Sequence, residues 1–314
     1  MSIKVFIDGA AGTTGLEIIE RLGEREEFAP IVLDDSQRKS AEARRDAYHA
    51  ADFAILCLPD EAAREAVALA AGAKVRIIDA SSAHRVDPEW VYGFPELFGR
   101  DKVASAQRVS NPGCYPTGFL ALVAPLARSG LFPAGWPISV NAVSGFSGGG
   151  KALIERFEAE GDIAFRAYGL SQGHKHVAEM QRHAGLERPP IFAPAVVPAF
   201  RGMIVEVPLD LAALPGKWSV ERIHNTIHYY FHSDPRGPRG TVTVAPLGDV
   251  PSELLLRRSS APWDGMILHV FASPDGSQAR LVAVLDNLGK GASGAAVQNL
   301  NLMAGLPETA GLQL

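Results

Sequence analysis

One stretch near the start of the chain constrains its fold more than any other: FIDGAAGTTGLEII, from Phe6 to Ile19. An apolar run, Ile3 to Ile7, reads as a short buried strand and stops on Gly9, Gly12 and Gly15. Helical spacing follows over Thr14–Leu22. Glycines between a strand and a helix let the backbone approach a pyrophosphate, and the helix N-terminus adds N–H donors and partial positive charge. The spacing is GxxGxxG rather than GxGxxG, so a glycine-rich turn without a ligand is the competing reading. Gly9, Gly12, Thr13, Thr14 and Gly15 are the expected cofactor contacts.

The rhythm continues for a hundred residues. Ile31–Leu33, Phe53–Leu58 and Val75–Ile78 read as strands, and Glu61–Ala71 reads as an alanine-rich helix. Strands and helices in alternation predict a parallel sheet covered on both faces. The segment after the second strand, LDDSQRKS, should contact the cofactor's adenosine ribose. It offers acids for a 2′-hydroxyl (Asp34, Asp35) beside Ser36, Arg38 and Lys39 for a 2′-phosphate, so these residues alone leave NAD and NADP open.

Beyond residue 114 the pattern changes. Tyr115–Arg128 reads as a helix with Pro116 in its first turn. Strand-like runs follow at Ile138–Val143, Met203–Leu209, Thr241–Ala245, Met266–Phe271 and Ala279–Leu285. Helical patterns fall at Ala152–Ala159, His176–Ala184 and Val220–Tyr230, and the tail after Gly294 is helical again. This predicts an α/β chain: a Rossmann-like parallel-sheet domain, then an α+β domain with a mostly antiparallel sheet.

Composition excludes several classes. The 314 residues are 47% hydrophobic and 21% charged, with a net charge of −5 and no block of like charges, so neither nucleic acid nor an anionic membrane is an expected partner. No run approaches the ~20 apolar residues of a membrane span. Two cysteines without a CxxC pair make a disulfide framework or a structural zinc site improbable and fit a reducing cytoplasm.

The two cysteines read differently. Cys57 lies in the apolar strand FAILCLP and reads as core filling. Cys114 lies in VSNPGCYPTG, where an Asn-Pro-Gly turn runs into a helix start. A helix N-terminus favours the thiolate, which is the nucleophile. Its acid–base partner is sought in GLSQGHKHVAEM, where His174 and His176 flank Lys175. A metal pair is the weaker reading, because no third ligand accompanies them. The loop SGFSGGG, from Ser144 to Gly150, could cradle an anion such as a leaving phosphate or be a plain turn. His224 and His228, at helical spacing, read as surface positions.

Taken together, these motifs resemble the N-acetyl-gamma-glutamyl-phosphate reductases in their shorter subclass. The matching pieces are GAAGTTG, DASSAHR (79–85), YGFPEL (92–97), SNPGCYPT (110–117), VSGFSGGGK (143–151), GHKH (173–176), VVPAFRG (196–202) and NLGKGASGAAVQNLN (287–301), in family order. Where the family usually has His-Arg-His and a Pro-Glu pair, this chain has His-Lys-His followed by Val177, Ala178 and Glu179.

The resemblance implies the semialdehyde-dehydrogenase architecture, with residues 1–113 and 292–314 binding dinucleotide and 114–291 catalytic and oligomeric. It implies NADPH-dependent reduction of an acyl phosphate through a thioester on Cys114, in arginine biosynthesis. It assigns acid–base work to His174, cofactor contacts to Ser36, Arg38, Ser81 and Asn287, and substrate contacts to Asn111, Ser144, Gly145, Tyr168, His176 and Arg201, with Arg201 near a carboxylate. A homodimer or homotetramer is the expected assembly. The rival readings are a reductase of aspartyl or amino-adipyl phosphate, and a dinucleotide sensor without catalysis.

Overall fold

The computed structural model describes residues 2–216, 218–233 and 240–314. These residues form two compact units, one drawn from 2–113 and 292–312 and the other from the described parts of 114–291 with 313–314.

The first unit begins with β1 (Ile3–Asp8), α1 (Thr13–Gly23), β2 (Phe28–Ile31), α2 (Ala41–Ala50), β3 (Phe53–Leu56), α3 (Asp60–Leu69) and β4 (Arg76–Asp79). It continues through β5 (Val91–Tyr92), α4 (Pro95–Phe98), α5 (Arg100–Ser105) and β6 (Arg108–Ser110). Its six strands lie in the order β2-β1-β3-β4-β6-β5, every neighbouring pair parallel. Alternate strand residues face opposite sides. Val5, Ile7, Ile55 and Ile78 pack with Ile18 and Leu22 of α1, while Phe6, Ala54, Leu56 and Ile77 pack with Tyr48 of α2 and Ala63 and Ala66 of α3. The late helix α10 (Gly294–Met303) joins the first of these cores through Ala296, Val297 and Leu300.

The short elements β5, α4, α5 and β6 have no counterpart in the sequence reading, and two longer ones depart from it. The second strand is Phe28–Ile31, not Ile31–Leu33. Pro30 within it is tolerated because β2 is an edge strand, where a missing N–H leaves no ladder bond unmade. Helix α2 carried no visible signal, because its sequence AEARRDAYHA buries only Ala47 and Tyr48.

The second unit opens with α6 (Cys114–Arg128), which is buried on all sides from Tyr115 to Leu126. After it come β7 (Ser139–Gly145), a 3₁₀ turn at Phe146–Gly149, α7 (Gly150–Ala159), β8 (Arg166–Ala167), α8 (His176–Ala184) and β9 (Ile191–Val197). The unit ends with β10 (Met203–Asp210), α9 (Val220–His232), β11 (Val242–Val244), β12 (Met266–Ala272) and β13 (Gln278–Leu285). The seven strands run β11-β12-β13-β10-β7-β9-β8, with parallel pairs only at β11/β12 and β7/β9. The sheet is therefore mostly antiparallel, as expected. β9 had not been anticipated, because Pro194 interrupts its pattern. Pro194 is accommodated because it sits at the end of the β8 pairing, where its carbonyl still accepts from the Tyr168 N–H and only the one bond its own N–H would make is lost.

Candidate active site

In the first unit, α1 starts at Thr13 with Gly12 as its cap and no side chain occupying the cap position. Its first-turn N–H groups, on Thr13, Thr14 and Gly15, are thus not capped by a side chain. Gly9 has φ +89, and a Cβ there would stand 2.3 Å from the Cys57 carbonyl oxygen. A Cβ on Gly15 would stand 2.6 Å from the Gly9 carbonyl oxygen. At Gly12 the nearest atom would be 3.4 Å away, so the backbone there has room in front of it. Glycine is demanded by packing at two of the three positions and opens space at the third. This loop fits a dinucleotide pyrophosphate.

The loop after β2 is built on Asp34, whose carboxylate accepts from the Ser36 N–H, the Ser36 hydroxyl and the Gln37 N–H. Arg38 is half-exposed and its Nε lies 2.8 Å from Asp35. Farther along, buried Asp79 accepts from the Ser81 N–H and hydroxyl and pairs with His84 Nδ1 at 2.7 Å. Asn111 donates to the Ala292 carbonyl and accepts from Asn299. Ser81 and Asn111 are thus engaged within this unit.

The second unit gathers the nucleophile and the aromatic and histidine side chains. Cys114 is the first residue of α6, where the helix dipole favours an anion. Gly291 lies against it: a Cβ on that glycine would fall 2.8 Å from Cys114 Cβ. Gly291 is held there by a π-type turn whose N–H donates to the Asp286 carbonyl at 2.9 Å. The Tyr115 hydroxyl donates to the Ala195 carbonyl at 3.1 Å, and the Tyr168 and Ser144 hydroxyls lie near it. Burial pushes the Tyr115 phenol far up and the Tyr168 phenol up to about 12, and the nearby charge of Cys114 adds to both. Both phenols are therefore neutral, and the Tyr115 O–H is committed to the Ala195 carbonyl. Tyr115 was missed as a site residue; its only signal was its place directly after the cysteine.

His174 packs on Tyr168, Phe192 and His176, with ring centroids 5.5, 5.1 and 4.7 Å away. Its Nδ1 accepts from the His176 N–H at 3.1 Å, so its neutral ring carries hydrogen on Nε2. Burial first, and then Lys175, holds its pKa below the ordinary value, with Glu179 opposing. His176 is buried and packs on Tyr115.

The loops carrying Ser144, Gly145 and Arg201 are laced together. The N–H groups of Gly145, Phe146 and Ser147 donate to the carbonyls of Gly202, Ala199 and Phe200. A Cβ on Gly145 would meet the Phe200 carbonyl at 2.7 Å. Arg201 Nη1 lies 2.9 Å from Asp286, which had not been anticipated. Asn287 accepts from the Gly202 N–H and donates to Ser147, so both ends of its carboxamide are engaged in this unit.

Comparison with known proteins agrees with this architecture. Residues 4–106 match the semialdehyde dehydrogenase NAD-binding domain, and residues 114–287 match the semialdehyde dehydrogenase dimerisation domain. Aspartate semialdehyde dehydrogenase II from Vibrio cholerae superposes with a TM-score of 0.72 at 21% identity, over 97% of this chain and 99% of that one. The Francisella tularensis aspartate semialdehyde dehydrogenase does so at 0.68 and 16%, over 96% of this chain and 100% of that one. The molecule is thus an oxidoreductase with the semialdehyde-dehydrogenase fold. Sequence similarity is more specific. N-acetyl-gamma-glutamyl-phosphate reductase 2 of Nostoc sp. is 50% identical over 98% of this chain and 99% of its own. The Brucella abortus N-acetyl-gamma-glutamyl-phosphate reductase is 49% identical over 97% of this chain and 100% of its own. The chain belongs to the N-acetyl-gamma-glutamyl-phosphate reductase family.

Proposed function

We propose that the chain reduces N-acetyl-γ-glutamyl phosphate to the corresponding semialdehyde in arginine biosynthesis, using NADPH and carrying the acyl group as a thioester on Cys114. The observation that carries this reading is the setting of Cys114: it is the first residue of a buried helix, pressed against Gly291, with the neutral phenols of Tyr115 and Tyr168 in its electrostatic surroundings. The names of the relatives supply the substrate.

The dinucleotide would be held by the backbone of Gly9–Gly15 and, at its ribose, by the Ser36–Arg38 loop. Bound there, the reduced nicotinamide supplies a hydride, which no side chain can. The protein's own groups do the rest. The Cys114 sulfur attacks the acyl carbon, the carbon–oxygen bond to phosphate breaks, and a thioester remains. The thiol proton leaves with the phosphate, handled by His174. In its resting form that ring offers Nε2–H as a donor to negative charge on the acyl oxygen, and proton uptake at Nδ1 requires its bond from His176 to open. After reduction the tetrahedral adduct expels the aldehyde and returns the thiolate, which the helix terminus stabilises until it takes up a proton from solvent by way of His174 and the cycle closes. Tyr168 and Ser144 would donate to the substrate. Arg201, oriented by Asp286, would grip the α-carboxylate.

The assembly is proposed to be a homodimer or homotetramer formed through the second sheet. Met203, Val205, Val207 and Leu209 of β10 face the helices, while Ile204, Ile267, Phe271 and the Glu206–Arg280 pair occupy the other face. Among the described residues no helix is long and apolar enough to cross a membrane; a reducing cytoplasm is the proposed location. The reaction run in reverse tests the function. N-acetyl-glutamate semialdehyde should reduce NADP+ only when phosphate is present. Faster turnover of aspartate semialdehyde, or turnover indifferent to phosphate, would contradict the proposal.

A further inference from the structure

The loop Tyr168–Lys175 joins β8 to α8 and carries both Tyr168 and His174. β8 pairs antiparallel with β9 in the register Arg166↔Val196 and Ala167↔Ala195. The Tyr168 N–H extends it by one bond to the Pro194 carbonyl at 3.3 Å. Continued, this register would set Leu170 opposite Phe192. The chain instead turns away. Gly169 takes φ +63, the Gln172 N–H donates back to the Gly169 carbonyl at 2.9 Å, and Leu170 points to solvent, 82% exposed.

The pairing that Phe192 would lose is restored by a side chain. Gln172 Nε2 donates to the Phe192 carbonyl at 3.1 Å, and Gln172 Oε1 accepts from the Phe192 N–H at 3.0 Å. A carboxamide offers a donor and an acceptor disposed like those of a peptide group, so it can stand in for the missing strand residue. To reach this position Gln172 adopts φ 61, the only non-glycine residue with positive φ among the described residues. Such a backbone is disfavoured for a residue with a Cβ and persists where surrounding contacts over-determine it. Phe192, which this clamp grips, is also the residue on which the His174 ring rests, at 5.1 Å.

We infer that Gln172 is a positioning residue for the reductase reaction: its carboxamide replaces a strand residue in the β9 ladder and so fixes the loop that presents His174. The inference rests on the role proposed above for His174. Gln172 itself is exposed and touches no reacting atom in this scheme. It acts through the loop, in the same way that a small misplacement of a catalytic group costs rate without any loss of binding residues.

Two variants separate positioning from bulk stability. Gln172→Gly deletes the clamp and relieves the positive-φ backbone, so the fold is not penalised twice. Gln172→Glu keeps the shape and the acceptor but has no donor for the Phe192 carbonyl. Gln172→Gly should lower kcat about 10- to 100-fold while the KM for NADP+ stays within about twofold, and Gln172→Glu should fall between it and the parent. The pH profile gives a second readout. Burial keeps His174 neutral to a lower pH than an ordinary histidine, so the acid limb of kcat/KM should lie below about 6.5. In Gln172→Gly the loosened ring gains solvent, its pKa rises, and that limb should move to higher pH. In a His174→Asn background, Gln172→Gly should cost much less than it does alone, because the main residue it positions is gone and only Tyr168, anchored separately by its N–H on Pro194, remains on the loop. The inference is overturned if Gln172→Gly keeps the parental kcat and acid limb, or if it costs as much in the His174→Asn background as alone. A His174→Asn enzyme with the parental rate and pH profile would remove the role of His174 itself, and the inference with it.

Discussion

Cys57 and Cys114 are the same side chain in two settings, and nothing in their composition separates them. Cys57 follows directly on strand β3, and its carbonyl faces Gly9. Burial, reinforced by the charges of Asp79 and Asp8, pushes its thiol up to about 12, so it stays protonated at any working pH. Cys114 is the first residue of a helix, with Gly291 keeping the facing wall free of side-chain bulk. The low-dielectric, anion-lined setting of Cys57 silences its thiol, whereas the first residue of a helix meets N–H donors that favour a thiolate. The chemistry of the chain is therefore written in where each cysteine falls relative to an element's end.

The largest expected effect tests that contrast directly. Cys114→Ser should lower kcat by about 10³-fold or more while dinucleotide binding, followed by fluorescence quenching, persists, because an alkoxide is much harder to form near neutral pH than a thiolate. Cys57→Ala should keep turnover within about twofold and register only as a loss of thermal stability. Equal losses at the two positions would erase the distinction.

A smaller effect is expected from the wall facing Cys114. Gly291→Ala places a methyl 2.8 Å from Cys114 Cβ, so either the helix start or the π-type turn must shift. A displaced nucleophile should cost about 10- to 100-fold in kcat with little change in the apparent affinity for dinucleotide. A parental kcat would mean that the close approach is incidental.

Smaller again is the expected loss at Arg201. Arg201→Lys keeps the charge but loses the planar fork, and it leaves buried Asp286 with a poorer partner. Catalytic efficiency should fall by an amount corresponding to about 1.5–3 kcal/mol of transition-state binding. Steady-state rates with the semialdehyde would show it, and unaltered efficiency would exclude Arg201 from the substrate site. The smallest effect belongs to Arg38, which is exposed and shares its charge with Asp35. Arg38→Glu should raise the KM for NADPH several-fold and leave that for NADH nearly unchanged. Equal shifts for both cofactors would show that Arg38 does not meet a 2′-phosphate.

What the sequence made legible follows the same logic of element ends. The glycine loop, the start of α6 and the span of α8 could be read because each joins a local periodicity to a local stop signal. Helix α2 escaped because it is charged nearly all round and buries little. Strands β2 and β9 were misplaced or missed because Pro30 and Pro194 break the alternation, and only the sheet order shows why each proline is tolerated. The site's long-range pairs were invisible for a different reason. Arg201 and Asp286, or Gln172 and Phe192, meet through strand pairing that no window of sequence contains. The thiol itself was legible, whereas the groups that orient its partners were not.

The thioester is the claim on which the rest depends. The enzyme should be mixed with the acyl phosphate in the absence of any nicotinamide, quenched in acid, digested and examined by mass spectrometry. The expected result is one N-acetylglutamyl adduct, on the peptide containing Cys114, that disappears when NADPH is added before the quench. An unmodified Cys114 peptide under conditions where the complete system turns over, or an adduct on Cys57, would contradict covalent catalysis at Cys114.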